Sequence, residues 1–472
     1  MTEASQHDVV IIGGGPGGYA AALYGAAAGL SVAMVEREKV GGTCLHRGCV
    51  PAKEFLETAA VFRTVGSAGE FGITSAQREI DFSVSQARKN TVVDQLFRGL
   101  VGLLKGRKVD MLAGSGTFVG DHRVRVVDGP DAGSELVGRH VVLAAGSVPR
   151  TLPGLEVDGK LVLTSDEFLE LDHVPPAVAI IGAGAIGCEF ASLLIDLGAR
   201  VTLIEALDSI LAGCDRDVAG VVNRSFKKRG MEIITGARVE GHTPKPDGSG
   251  TVLALADGRT IEVSTIVVSV GRRPRTEGLL GEGTGVVLNE AGFVVADPFM
   301  RTHAPDVWAV GDVVAGTPQL AHVGFAEAIA AIKGMLGEHV VPVDYDRVPW
   351  AIYCHPEVAF AGLTEAQAIE RGFDVVTKKD PFGGNSRARI VGDTEGLVKV
   401  VARREPDGTA GPLLGVHMAG PWVTEQLGAG YLAVNWEATP EEVAHFIQPH
   451  PSFSEVFGET VLALTGRGLH VG

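Results

Sequence analysis

The stretch Asp8-Val-Val-Ile-Ile-Gly-Gly-Gly-Pro-Gly-Gly18 decides the fold. Its four consecutive β-branched residues read as a short strand buried on both faces. The glycines that follow demand a tight turn into the alanine-rich, helical segment beyond them. In the pattern Gly13-x-Gly15-x-x-Gly18, backbone N–H groups at a helix N-terminus are free to approach a pyrophosphate, and Glu36, closing the next strand over 30–36, is placed to bind a ribose diol. One such turn often serves packing alone. Here a second follows, Val178-Ala-Ile-Ile-Gly182-Ala-Gly184-Ala-Ile-Gly187, with Glu205 closing the strand Arg200-Val-Thr-Leu-Ile-Glu205. The interval from first glycine to glutamate is the same in both copies, 36 − 13 = 23 and 205 − 182 = 23. The repetition points to two dinucleotide sites.

Glu205 also selects between nicotinamides. A carboxylate there accepts from the 2′-hydroxyl of NAD and repels the 2′-phosphate of NADP. The plainer alternative, a solvated glutamate at a strand end, is weakened by the lack of an arginine pair in Ala206-Leu207-Asp208.

With 472 residues, 45% of them hydrophobic and 21% charged, the chain is able to bury a large core and is too long for one ordinary domain. Its 64 glycines are scattered as punctuation after apolar segments, not gathered in low-complexity runs. A formal charge of −16 at pH 7, with no concentrated basic face, argues against nucleic acid as a partner. No apolar run reaches bilayer-spanning length without glycine or charge, and residues 1–8 lack the basic start of a signal peptide, so the expectation is a soluble, cytoplasmic protein without a membrane partner. Five cysteines, an odd number, do not build a secreted disulfide framework. A disulfide in this chain is expected to be catalytic.

Prolines 149, 153, 175 and 176 flank the approach to the second glycine motif and place a boundary near 150. Thr265-Ile-Val-Val-Ser-Val-Gly271 reads as a further buried strand, and Val307-Trp-Ala-Val-Gly-Asp312 ends another in a Gly-Asp turn; these return the chain to the first domain. From about 345 the texture changes. Residues 396–402 and 413–418 alternate like half-buried strands, and helical patterns follow over 424–436 and 441–446. The expected division is therefore 1–150, 151–274, 275–345 and 346–472. The expected fold class is α/β, with two Rossmann-like dinucleotide-binding domains and a C-terminal α+β domain whose strands face water on one side.

The stretch Gly41-Gly42-Thr43-Cys44-Leu-His-Arg-Gly48-Cys49-Val-Pro51-Ala-Lys53 is the most informative for chemistry. Four residues separate its cysteines, which is not a zinc-ribbon spacing, and no second pair completes a tetrahedral site. On an ideal helix of about 3.6 residues per turn, positions five apart face different ways and lie too far apart for a disulfide. The helix must therefore be distorted; Gly48 supplies the deviation, and Pro51 is tolerated in an early turn. Two unrelated buried thiols are the alternative. Near a helix N-terminus these thiols favour thiolate, the form that attacks disulfides and donates charge to a flavin. Cys188, Cys214 and Cys354 are isolated in sequence and are assigned no role. Thiol–disulfide interchange also needs a base, and His450 in Pro449-His450-Pro451-Ser-Phe-Ser-Glu455 is the candidate, with Glu455 able to orient its ring. Taken alone, a histidine between two prolines is more often a surface-loop residue.

Together these residues resemble the pyridine nucleotide-disulfide oxidoreductases, end to end, and within them the dihydrolipoamide dehydrogenase branch. The resemblance rests on the two fingerprints, the second ending in Glu189, and on the Gly-Gly-Thr-Cys-x4-Cys-x-Pro-x-Lys motif. It rests further on Ala144-Ala-Gly-Ser147, Val270-Gly-Arg-Arg-Pro274, Thr302-x4-Val-Trp-Ala-Val-Gly-Asp312 and His450-Pro-x-x-Ser-Glu455. It implies FAD held by Gly13, Gly15, Gly18, Glu36, Gly42, Thr43, Lys53, Gly146 and Asp312, and NAD held by Gly182, Gly184, Gly187, Glu205 and Gly271. It implies a homodimer built through the C-terminal domain, with His450 of one subunit reaching the redox pair of the other. In that scheme Cys44 exchanges with the substrate, Cys49 faces the flavin, Glu455 orients His450 and Lys53 pairs with Glu189 near the flavin ring. The implied partners are lipoyl domains of 2-oxo acid dehydrogenase or glycine cleavage complexes.

The chain departs from the pattern at His46-Arg47, at Gln448-Pro449 and at Ala328 after Glu327. The first two border the disulfide cleft and bear on substrate preference. An NAD(P)H-dependent reductase of another low-molecular-weight disulfide is the enzymatic alternative. Glu205 opposes an NADP-linked glutathione reductase, and the tail 456–472 lacks the C-terminal cysteine pair of mercuric reductases. A non-catalytic flavin-binding complex subunit is the alternative of another class, disfavoured by the retention of Cys44, Cys49 and His450 together.

Overall fold

The computed structural model describes residues 5–74 and 79–470; residues 1–4 of the N-terminal argument above and 471–472 of the tail lie outside the described residues. The chain forms two compact units, one made of Met1–Glu54, Ser83–Arg150 and Gly271–Tyr345, the other of Phe55–Phe82, Thr151–Val270 and Asp346–Gly472. The class is α/β, as the two glycine motifs predict.

In the first unit the strand Ser5–Ile12 lies at the centre of a seven-stranded sheet. It pairs in parallel with Val32–Glu36 on one side and Glu135–Leu143 on the other, and Val307–Ala309 adds to the far edge of the latter, also in parallel. Val9, Val10, Ile11 and Ile12 are all buried because helices and loops cover both faces of this sheet, which is why the run is continuous and not alternating. The chain leaves Ile12 through the glycine turn directly into the helix Pro16–Ala27, which packs on the helix Ala321–Met335.

The second unit repeats the plan with the parallel strands Ala177–Ile181, Arg200–Ile204 and Thr265–Val268, and the helix Ala185–Asp196 follows the second glycine turn. Thr265–Val268 therefore does not return the chain to the first domain as its sequence suggests, because it pairs in register with Ala177–Ile181; of the two strands expected to return, Val307–Ala309 does. The same unit carries a five-stranded antiparallel sheet in the order Trp350–Ile352, Glu357–Gly362, Ala410–Gly420, Leu397–Arg404, Val375–Pro381. The segment Phe55–Phe82 clusters here as well. One cause is local: Arg63, on the helix Cys49–Ser67, forms an ion pair with Asp196 at the end of the helix Ala185–Asp196.

The antiparallel sheet departs from the sequence expectation of strands with one wet face. Five successive residues of Leu397–Arg404 and nearly all of Ala410–Gly420 are buried. Helices Val423–Asn435 and Glu455–Leu464 cover one side, and the helix Arg216–Lys228 packs on the other. Lys399 looks outward-facing in sequence, yet its ammonium is buried, donating to both carboxylate oxygens of Asp215 at 2.9 and 3.1 Å, to Asp217 at 2.9 Å and to Glu365 at 2.7 Å. The three carboxylates raise the Lys399 pKa against the opposing effect of burial, and the lysine bonds help hold that of Asp217 low.

Asp215 also caps the helix Arg216–Lys228 through the Asp217 N–H, so removing the lysine strands a buried carboxylate at a helix N-terminus. Lys399→Met is predicted to lower the stability of this unit by about 3–5 kcal/mol. The check is the denaturant midpoint; a midpoint equal to that of the parent protein would show that the pair contributes nothing.

Candidate active site

The two glycine turns have nearly the same geometry. Gly13 and Gly182 take φ of +103° and +99°, which only glycine adopts without strain. A side chain on Gly18 would place Cβ 1.8 Å from the Gly13 carbonyl oxygen, and one on Gly187 would sit 1.9 Å from that of Gly182. Gly15 and Gly184 are the N-caps of the two helices, both with extended backbone and neither with a side-chain cap, so the first N–H groups of each helix remain directed out of the turn. These are cradles in which a Cβ would occupy the close approach a pyrophosphate needs, and the residues present fit a bound dinucleotide at each.

The glutamates do more than the sequence reading assigned. Glu36 accepts from the Gly14 N–H at 2.6 Å and the Glu38 N–H at 2.7 Å; Glu205 accepts from the Ala183 N–H at 2.7 Å and the Leu207 N–H at 2.9 Å. Each carboxylate thus ties its own strand end to its own glycine turn. The equal interval of the two motifs is the spacing this bond requires, and the remaining lone pairs are free for a ribose.

The redox segment is two helices, not one. Gly42–Arg47 ends at Gly48, whose backbone (φ −148°, ψ −108°) is not helical, and Cys49–Ser67 starts at the next residue. The break turns Cys44 and Cys49 toward each other, and their thiols are hydrogen-bonded. That bond and burial push the Cys44 thiol far up, while the Lys53 ammonium pulls it the other way. Gly42, in the left-handed region, lets this segment touch the first fingerprint: its Cβ would lie 2.7 Å from Gly15 Cα, and the Gly41 N–H donates to the Gly14 carbonyl at 2.7 Å. Thr43 follows on the first turn, half-buried. His46 is bonded to the Val40 carbonyl at 2.9 Å and packs edge-on to Phe97. Arg47 forms an ion pair with Glu38.

Tyr19, which the sequence reading passed over, stands immediately after Gly18. Burial first, then the nearby Cys44 and Cys49 charges, push its phenol up to about 12. An aromatic residue directly after the third glycine of an otherwise alanine-rich helix was the available signal. Further round the first unit, Asp312 accepts from the Ser147 hydroxyl at 2.5 Å, and Arg272 donates to the same hydroxyl oxygen at 2.7 Å. Gly146 precedes that serine with φ +73°. Glu327, fully buried, accepts from the Gly311 N–H at 2.5 Å and from Tyr345 at 2.9 Å; its burial lifts its carboxyl to about 7. Gly271 belongs to this unit too, accepting from the Arg150 N–H at 2.9 Å, and is not grouped with Gly182, Gly184, Gly187 and Glu205.

In the second unit His450 is exposed, and its Nδ1 lies 2.7 Å from Glu455, whose other oxygen accepts from the Ser452 N–H at 2.7 Å. The carboxylate is therefore fixed by backbone, and it takes up Nδ1 and not Nε2 of the imidazole. Glu189 is buried on the helix Ala185–Asp196, where it accepts from the Tyr353 N–H at 2.9 Å. Cys44, Cys49 and Lys53 thus belong to the first unit, and Glu189 and the His450–Glu455 pair belong to the second.

Residues 7–328 match the family model described as pyridine nucleotide-disulphide oxidoreductase, and residues 348–461 match that family's dimerisation domain. The chain belongs to the pyridine nucleotide-disulphide oxidoreductases. As a member of that family it is an FAD-dependent oxidoreductase that uses NAD. It is 41% identical to a dihydrolipoyl dehydrogenase of Bacillus subtilis over 99% of this chain and 100% of the relative, and 37% identical to that of Zymomonas mobilis over the same shares. Among solved structures it is similar to LpdA of Mycobacterium tuberculosis, with TM-score 0.89 and 28% identity over 98% of this chain and 100% of that one. It is also similar to the HOCl-induced flavoprotein disulfide reductase RclA of Escherichia coli, with TM-score 0.85 and 27% identity over 96% and 99%. Among the described residues no helix of this oxidoreductase is long and apolar enough to cross a membrane.

Separate cradles make separable predictions. Gly18→Ala is expected to yield protein that purifies without visible flavin absorbance. Gly187→Ala is expected to stay yellow but to raise the KM for NAD by about tenfold or more, the cost of forcing the backbone off the pyrophosphate. If both variants lost flavin together, the assignment of one cofactor to each motif would be wrong.

Proposed function

We propose that this oxidoreductase is a dihydrolipoyl dehydrogenase: it oxidises dihydrolipoyl groups to lipoyl groups and reduces NAD⁺ to NADH. The observation that carries the reading is the broken helix that holds two thiols against each other beside Lys53, in a chain matched along its whole length by dihydrolipoyl dehydrogenases. Substrates reach it as lipoyl domains of 2-oxo acid dehydrogenase or glycine cleavage complexes, and it works as a homodimer in the cytoplasm. The dimerisation-domain match over 348–461 supports the dimer. The functional domains are 1–150 and 275–345 for FAD, 151–274 for NAD and 346–472 for the interface, although the last four residues of the NAD segment, from Gly271, cluster with the first unit.

In the oxidised enzyme Cys44 and Cys49 form a disulfide. His450 of the partner subunit accepts the proton of one substrate thiol at Nε2, its ring oriented by Glu455 through Nδ1. The resulting thiolate attacks Cys44 Sγ, the Cys44–Cys49 bond breaks, and Cys49 leaves as thiolate. The second substrate thiolate displaces Cys44, closing the lipoyl disulfide and leaving both enzyme cysteines reduced. Lys53 stabilises the negative charge on the pair, and Glu189, buried on the helix that opens from the second glycine turn, is assigned to the nicotinamide half-reaction by that position. Bound FAD would supply the two-electron relay between the reduced Cys44–Cys49 pair and NAD⁺, and the overall balance is dihydrolipoyl and NAD⁺ to lipoyl, NADH and one proton.

Cys49→Ser is expected to keep FAD and lose lipoamide turnover; unchanged turnover would remove the pair from the mechanism. Replacing His450 by Gln should slow the dithiol half-reaction by about 10²–10⁴-fold while NADH-to-dye electron transfer persists. Equal losses in both would deny its proton-transfer role. Rates with dihydrolipoamide, glutathione disulfide and mycothiol disulfide, each with NAD(H) and NADP(H), test the reading as a whole, which requires the first substrate with NAD⁺ to lead.

A further inference from the structure

Glu189 and Ser192 lie one helical turn apart on the same face of the helix Ala185–Asp196, and both grip one short stretch of chain. Glu189 accepts from the Tyr353 N–H at 2.9 Å, and the Ser192 hydroxyl oxygen accepts from the His355 N–H at 2.8 Å. The other backbone group of His355 is held as well: its carbonyl accepts from Arg229 at 2.6 Å. Arg229, just past the end of the helix Arg216–Lys228, donates further to the Ser192 carbonyl at 2.9 Å, within 3.3–3.4 Å of the Ser192 hydroxyl, and to Asp196 at 2.6 Å. Its guanidinium is largely buried and fans across four backbone or side-chain acceptors at once, which no lysine reproduces. Asp196 is shared with Arg63, so two guanidiniums flank one buried carboxylate. Burial first, and then the same two cations, drive the His355 imidazole down to about 3.

The consequence is geometric. The Tyr353 N–H that donates to the Glu189 carboxylate belongs to a segment whose position is set two residues later by Arg229 and Ser192. We infer that Arg229 is a positioning residue for Glu189: it fixes the Tyr353–His355 backbone, and through it the carboxylate, for the nicotinamide half-reaction. The inference rests on the reading that Glu189 serves that half-reaction. A carboxylate displaced by about 1 Å from a working geometry costs up to about 10²-fold in rate, so an effect at this distance from the chemistry is measurable.

The test uses the FAD-loaded enzyme and two separate half-reactions, flavin reduction by NADH and flavin reduction by dihydrolipoamide, followed by rapid mixing. Arg229→Met leaves Asp196 paired with Arg63 and is expected to slow the NADH half-reaction about tenfold or more while changing the dihydrolipoamide half-reaction less than about twofold. Ser192→Ala, which alters no charge, should act in the same direction and serves if Arg229→Met does not fold. Glu189→Gln should slow the NADH half-reaction by itself, and adding Arg229→Met to it should cost nothing more, because both act on one carboxylate. Multiplicative losses in the double variant, equal losses in both half-reactions, or no loss with either single variant would overturn the inference. If Glu189→Gln alone leaves both half-reactions unchanged, it is the underlying reading of Glu189 that fails, and the inference with it.

Discussion

The structure depends on one interruption. A continuous helix from Gly42 to Ser67 would turn Cys44 and Cys49 to different faces; the non-helical Gly48 splits it and brings the thiols into a hydrogen bond. The same segment is locked to the first dinucleotide turn by the Gly41–Gly14 backbone bond and by the close approach of Gly42 to Gly15. Sulfur pair and cofactor cradle are therefore one backbone unit, and moving either moves both. In an oxidoreductase that passes electrons from thiols to a bound cofactor, that rigidity does the positioning which flexible side chains would do at a higher entropy cost.

The two cradles follow one rule. Each begins with a glycine at positive φ, is closed by a carboxylate that binds the next residue's N–H, and opens into a helix whose first N–H groups have no side-chain cap. A carboxylate spent on holding a loop still has acceptor capacity for a ribose, so cofactor binding and turn stability draw on the same atoms. This is why the interval between glycine and glutamate is fixed at 23 in both copies.

How much of this was legible in the sequence depends on how far apart the partners lie along the chain. The strand at Val9–Ile12, both glycine turns and the break at Gly48 are local, and each could be read from residues within a few turns of one another. Glu36 and Glu205 stand out in the sequence because their spacing repeats, but their bonds to the turns do not, since polar contacts leave no periodic trace. The Ser147–Asp312 bond joins residues 165 positions apart and Lys399–Asp215 joins residues 184 apart. No pattern around Lys399 distinguishes an ammonium facing water from one facing three carboxylates, and the strand that carries it was accordingly read as half-wet. Glu327 leaves no such trace, because what marks it is burial beside other groups, which only folding supplies; Tyr19 carries one local signal, its place directly after Gly18.

The central claim is that Cys44 and Cys49 alternate between bonded and free during turnover. It is tested most directly by anaerobic alkylation and peptide mapping of the FAD-bound enzyme before and after one equivalent of dihydrolipoamide. The account requires Cys44 and Cys49 to be linked and unreactive beforehand and both alkylated afterwards, with Cys188 and Cys354, fully buried, unchanged throughout. Equal alkylation of Cys44 and Cys49 in both states, in enzyme that still reduces NAD⁺ with dihydrolipoamide, would contradict it.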